Sequence, residues 1–137
     1  MYRTLMAAVL GMAFCTAANA ADERIGLELN KLEQRDGACR AYVVIENGTA
    51  SRFDTLSFDL VMFDRTGVVA ERLALETAPL PPAKTSLKVF DVPGLPCESV
   101  GRVLVNEVLA CGDEQGARDD CLSRVETSAR GDLALIK

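Results

Sequence analysis

The sequence predicts an all-β protein: an antiparallel β-sandwich of immunoglobulin-like type, with about seven short strands and two disulfides. Three observations carry this prediction. Apolar residues alternate with polar ones at period two along most of the chain, as they do in strands with one buried face. Turn chemistry built from Asn-Gly, Gly and Pro interrupts these segments every ~8–12 residues. Four cysteines, Cys39, Cys97, Cys111 and Cys121, follow a segment that reads as an export signal, and an even number in an exported domain suits cross-linking.

Residues 1–20 carry the features of a cleavable signal. Arg3 supplies a positive start, residues 5–14 form an uncharged apolar run, and Ala18-Asn19-Ala20 gives a small-x-small cleavage site. The run is shorter than the ~20 residues of a membrane span, and Ala-rich segments insert weakly, which disfavours an uncleaved anchor. Lipid attachment at Cys15 is disfavoured by the bulky Phe14 before it. A mature chain beginning at Ala21 is therefore expected, with residues 21–137 forming one domain in the bacterial periplasm or outside the cell. Those 117 of 137 residues are enough for a single core. They hold 14 basic and 20 acidic side chains, a net charge of −6. With that sign and no basic cluster, nucleic acid is excluded as a partner, and stable membrane insertion after signal cleavage is not expected.

The strands follow in order. Residues 24–33 place Ile25, Leu27 and Leu29 on one side, opposite Glu28 and Asn30, and residues 34–37 form a turn. Residues 38–46 put Cys39, Ala41, Val43 and Ile45 on one face and end at Asn47-Gly48, the strongest turn dipeptide in the chain. Residues 55–63 give the clearest strand, with Leu56, Phe58, Leu60 and Met62 alternating with Thr55, Ser57, Asp59, Val61 and Phe63. Residues 64–67 connect it to residues 68–75 as a hairpin. Pro79, Pro81 and Pro82 break the chain before residues 83–92 resume a strand, which ends at residues 93–96. Residues 100–111 also fit a helical stripe, through Val100, Val103, Leu104, Val108 and Cys111, but the β-branched residues favour a strand over residues 101–109. Residues 112–120 read as a polar loop with room for one helical turn, and residues 132–136 as a last strand.

Four cysteines allow three connectivities. The pairing Cys39–Cys97 and Cys111–Cys121 is favoured because the second pair brackets a short polar loop and leaves the first to tie an early strand to a later one. A zinc site is disfavoured, since neither a close Cys-x-x-Cys pair nor any histidine is present.

Residues 38–92 have the layout of FxLYD-type exported β-sandwich modules: a strand, an Asn-Gly turn, an apolar strand ending in Asp, a Gly-containing turn, a strand, and a Pro-containing lead into another apolar strand. The chain resembles that family at the name-giving motif, which stands here as Leu60-Val61-Met62-Phe63-Asp64, with the Asp kept and other apolar residues at the remaining positions. The whole mature chain, with its four cysteines and the segment GLPCESVGRVLV, is also similar to small exported bacterial proteins carrying only a generic Tat-pathway label. This signal has Arg3 but no twin arginine. The resemblance implies an exported sandwich module and brings no catalytic residue with it.

Residue chemistry points the same way. Without histidine, neither a Ser-His-Asp nor a Cys-His system can be built. No Gly-rich phosphate loop is present, and no cofactor is expected. Asp113, Glu114, Asp119 and Asp120 lie between Cys111 and Cys121, yet their spacing differs from that of a calcium loop, so a solvated acidic loop is expected and no metal site. Asn47-Gly48-Thr49 matches a glycosylation sequon, although turn formation accounts for the same residues. Val61 and Phe63 face away from the expected core. They are either covered within the domain, by the proline segment or the C-terminal tail, or they form a partner surface. The functional expectation is a non-catalytic binding or accessory module for another envelope or secreted protein, with Val61 and Phe63 as its docking residues. A small-ligand binder or enzyme is the alternative.

Overall fold

The computed structural model describes residues 23–137; the expected signal, its cleavage site and Cys15 lie outside the described residues. Nine strands make two facing sheets. They are β1 (Ile25–Arg35), β2 (Ala38–Asn47), β3 (Phe53–Asp64), β4 (Val69–Glu76), β5 (Lys84–Pro93), β6 (Val100–Asp113), β7 (Gly116–Ala117), β8 (Val125–Ala129) and β9 (Leu135–Ile136). The first sheet runs β5-β2-β1-β8, and the second β4-β3-β6-β7 with β9 also on β6. Pairing is antiparallel except between β1 and β8 and between β6 and β9. All seven expected segments contain strand. The two unforeseen strands are β7, inside the expected polar loop, and β8. The one helical turn, α1 (Cys121–Arg124), falls just after that loop.

Period-two alternation puts Ile25, Leu27 and Leu29 of β1 and Ala41, Val43 and Ile45 of β2 against Leu56, Phe58, Leu60 and Met62 of β3, and all of these are buried. At roughly 1.5–3 kcal/mol for each large side chain removed from water, this layer supplies the main driving force for folding. Both expected disulfides are present. Cys39–Cys97 ties β2 to the short 3-10 turn Cys97–Ser99, and Cys111–Cys121 ties the end of β6 to α1. Disulfide-closed chains belong to oxidising, extracytoplasmic environments. Among the described residues, no helix is long and apolar enough to cross a membrane.

β6 carries three bulges against β3, whose extra residues are Leu109, Asn106 and Gly101. They explain the mixed periodicity of this segment: the core-facing Val100, Val103, Val105, Val108 and Cys111 step by three, two, three and three, which mimics a helical stripe. At Gly101 the β3 backbone approaches so closely that a Cβ would lie 2.6 Å from the Asp64 carbonyl oxygen. The chain does change direction at Asn47-Gly48, but between sheets: β2 and β3 lie in different sheets and residues 48–52 cross between them.

Candidate functional site

Val61 and Phe63 do lie on the outer face of the second sheet, but they are not an open apolar surface. Val61 is only 8% exposed, set between its cross-strand neighbours Arg72 and Leu104. Phe63 is half-buried beneath Arg102, whose guanidinium lies 4.9 Å from the ring centroid. Cover within the domain, the alternative reading of this pair, thus holds for Val61, while Phe63 keeps part of its ring open. The cover comes from long side chains of the same sheet, whose stems lie along apolar surface while their heads reach water, and not from the proline segment or the C-terminal tail.

Asp59, two residues earlier on the same face, is also buried. Arg72 holds it with two parallel hydrogen bonds of 2.8 Å, and Asn106 donates a third of 2.7 Å. The bulge that makes Asn106 an extra residue is what aims it at this carboxylate. Hydrogen bonds from Arg72 first, then Asn106, hold the Asp59 carboxyl below its ordinary range. Asp64, the acid of the FxLYD-like motif, turns the chain into the β3–β4 connection. One carboxylate oxygen accepts from the Thr66 hydroxyl and from the amides of Thr66 and Val68. The Thr66 hydroxyl is the main reason its pKa is lowered. Both acids are engaged in building the sheet.

The acidic loop is equally occupied. Arg118 bonds Asp113 at 3.0 Å and forks onto Asp120, which also accepts from Arg124 at 2.6 Å. Glu114 accepts from the amide of Arg52. Arg118 and then Arg124 lower the Asp120 pKa to about 2. Among the described residues, no three potential ligands converge on a common point. The sequon residue Asn47 is fully buried: its amide nitrogen donates to the carbonyls of Ser51, Leu80 and Pro81, and its oxygen accepts from the amide and hydroxyl of Thr49. A glycan has no room there. Asn47 instead pins the β2–β3 crossover to the segment that leads into β5.

The outer face of the first sheet carries a second exposed apolar strip, beside the one the other sheet shows at Val69, the 57% exposed cross-strand neighbour of Phe63. Along β5, Thr85, Leu87, Val89 and Asp91 point outward beside Glu46, Val44, Tyr42 and Arg40 of β2. Leu87 is 56% and Val89 46% exposed. Arg40 and Asp91 close one end of this apolar strip with a two-bonded ion pair (2.7 and 2.9 Å), and Lys31 lies 5.2 Å from the Tyr42 ring. β5 is hydrogen-bonded to β2 over its whole length and leaves its other edge unpaired. Sequence reasoning read residues 83–92 as an ordinary strand. The overlooked signal was a segment with apolar side chains at Leu87 and Val89 on the face opposite Lys84 and Lys88.

Fold and site together define an all-β, two-sheet, disulfide-linked sandwich. No family model and no curated protein matches the chain. It is similar in fold to the solved structure of IrmA from Escherichia coli, at 16% identity and a TM-score of 0.58, over 76% of this chain and 90% of that one.

Proposed function

We propose that this protein is a non-catalytic, exported binding module of the bacterial cell envelope, periplasmic or secreted, which docks onto another envelope or secreted protein through the outer face of its first sheet. The observation that carries this reading is the exposed pair Leu87 and Val89 on an edge strand. Adjacent apolar side chains left in water on an exported domain mark contact surfaces. The chemistry of the chain supports the same view: it has no histidine, and the acids that could have served a reaction, Asp59, Asp113 and Asp120, are each held by arginine. The signal-like segment 1–20 and the resemblance of residues 38–92 to FxLYD-type modules fit an exported module of this kind.

One observation favours small-ligand binding as the second reading. An open cleft of about 580 Å³ is lined by apolar Leu104 and Leu122 together with polar Asn106, Asp119 and Lys137. A photo-crosslinking side chain placed at 87 or 89, in the exported protein in its native cells, separates the two. The docking reading expects a discrete adduct that excess unlabelled protein suppresses. An adduct pattern equal to that from a probe at 109, another exposed apolar position, contradicts it.

A further inference from the structure

We infer that the free edge of β5 is a strand-addition site for an extended, acidic segment of a second protein; this rests on the reading of the Leu87 and Val89 face as the docking surface. Exposed edges in stable proteins are commonly blunted by bulges, by short strands, by prolines or by inward-pointing charges. Of these devices β5 carries only the inward-pointing charges, Lys84 and Lys88: it is ten residues long and pairs with β2 in unbroken register from Lys84 to Pro93, with its one proline at the very end, so the two lysines alone guard the edge and only a segment that neutralises them is admitted. The other long edge, β4, is by contrast bent by a bulge at its start. An extended segment laid along β5 would gain main-chain hydrogen bonds, and its outward side chains would continue the rows that run from Val44 to Leu87 and from Tyr42 to Val89.

Charge identifies the occupant. Among the described residues, Lys84 and Lys88 are the basic side chains without a hydrogen bond, an ion pair or a ring contact; every arginine, Lys31 and Lys137 has at least one. In a chain with a surplus of acids, two unpaired cations on one strand stand out. Both point to the inner side of β5, at alternate positions of the same face as Ser86 and Phe90. An added strand presents side chains to that face at every second residue, so carboxylates four residues apart would meet both lysines. The same lysines oppose a second copy of this chain. The antiparallel register that sets Leu87 and Val89 of one copy against Val89 and Leu87 of another places the two Lys88 side chains directly opposite, and like charges there are destabilising.

The test uses the mature protein with two probe peptides, acetyl-SVEVEVES-amide and its charge-reversed form acetyl-SVKVKVKS-amide, read by fluorescence anisotropy and by hydrogen exchange of the β5 amides. The glutamate peptide should bind about fivefold or more tighter than the lysine peptide, Lys88→Glu should remove or invert that preference, and the β5 amides should exchange more slowly when the peptide is bound. Equal binding of the two peptides, absence of binding, or binding without slowed exchange in β5 overturns the proposal. A concentration-dependent dimer in sedimentation overturns it too, in favour of a second copy. Lys88→Glu lies on an edge strand outside the core, and an unchanged melting temperature separates a lost preference from a lost fold. If the β5 edge fails these tests while the crosslink from position 87 persists, strand addition is wrong and face docking stands; if the crosslink also vanishes, both readings fall.

Discussion

Replacing Asn47 by aspartate keeps the shape of the side chain and reverses half of its chemistry. The acceptor that receives the Thr49 amide and hydroxyl survives, at 3.1 and 2.8 Å in the parent. The donor disappears, and the carbonyl oxygens of Ser51, Leu80 and Pro81, now 2.8 to 3.2 Å from a nitrogen, would face a carboxylate oxygen. Two amide hydrogens lost at about 1 kcal/mol each, together with about 1–3 kcal/mol for carbonyls left unsatisfied in a fully buried site, give a cost of about 3–5 kcal/mol. That is a large share of the ~5–15 kcal/mol that holds a domain of this kind together. Burial and the facing carbonyls would raise the introduced carboxyl's pKa above its unfolded value. Its penalty is therefore full at neutral pH and shrinks as the pH falls through that raised value. Urea unfolding of Asn47→Asp at pH 7 and pH 5, beside Asn47→Ala, measures this. Stability within about 1 kcal/mol of the parent at both pH values would refute the assignment of Asn47 as the pin between the β2–β3 crossover and the proline segment.

Further outcomes follow from the same structure. Cys39→Ser should cost about 1.5 kcal/mol more than Cys121→Ser, because the bridges close loops with sequence separations of 58 and 10; equal urea midpoints would contradict the chain-entropy argument. The carboxyls of Asp59, Asp64, Asp91 and Asp120 are all lowered in the folded state, so their contribution is fully present above the ordinary carboxylate range and is lost as the pH falls from about 4 toward 2. A urea midpoint that stays flat over that window would show that these hydrogen bonds do not persist in solution. Adding millimolar Ca²⁺ should leave the melting temperature unchanged, since Arg118 and Arg124 already occupy Asp113 and Asp120; a rise of several degrees would reveal binding to the folded state. Intact mass of the exported protein should correspond to a chain beginning at Ala21, and a mass retaining residues 1–20 or an acyl group on Cys15 would refute the expected processing.

Strand existence was legible because one buried face imposes period two, and β1, β2, β4 and β5 obey it over most of their lengths; β3 alternates in sequence although its residues from Leu56 to Met62 are buried on both faces. β6 was ambiguous for an equally physical reason: each bulge inserts a residue and shifts the pattern, so a strand can carry near-helical spacing. β8 escaped notice because its five residues hold one fully buried apolar side chain, Val125, and pair in parallel with a strand distant in sequence. The disulfide pairing could be read from loop bracketing. The exposure of each outer face could not, because alternation says which residues share a face but not what covers that face. Val61 and Phe63 look exposed until Arg72 and Arg102 are placed beside them, and Leu87 looks ordinary until β5 is found at an edge. The Asn-Gly signal likewise marks a change of direction without saying whether the chain turns within a sheet or crosses to the other one.

The central claim is that partners dock on the outer face of the first sheet and not on that of the second, and paired variants test it most directly. Leu87→Ser combined with Val89→Ser removes two exposed side chains, while Phe63→Ala removes a ring half-buried under Arg102. Urea unfolding and capture of the proposed envelope partner, read as protein that co-purifies with the parent from its native cells, should be measured on both. The account predicts that the double variant keeps its stability within about 1 kcal/mol and loses the partner. Phe63→Ala should lose about 1–3 kcal/mol and retain it, somewhat below the cost of a fully buried ring. Retention of the partner by the double variant, or its loss from Phe63→Ala with the fold intact, would contradict the account.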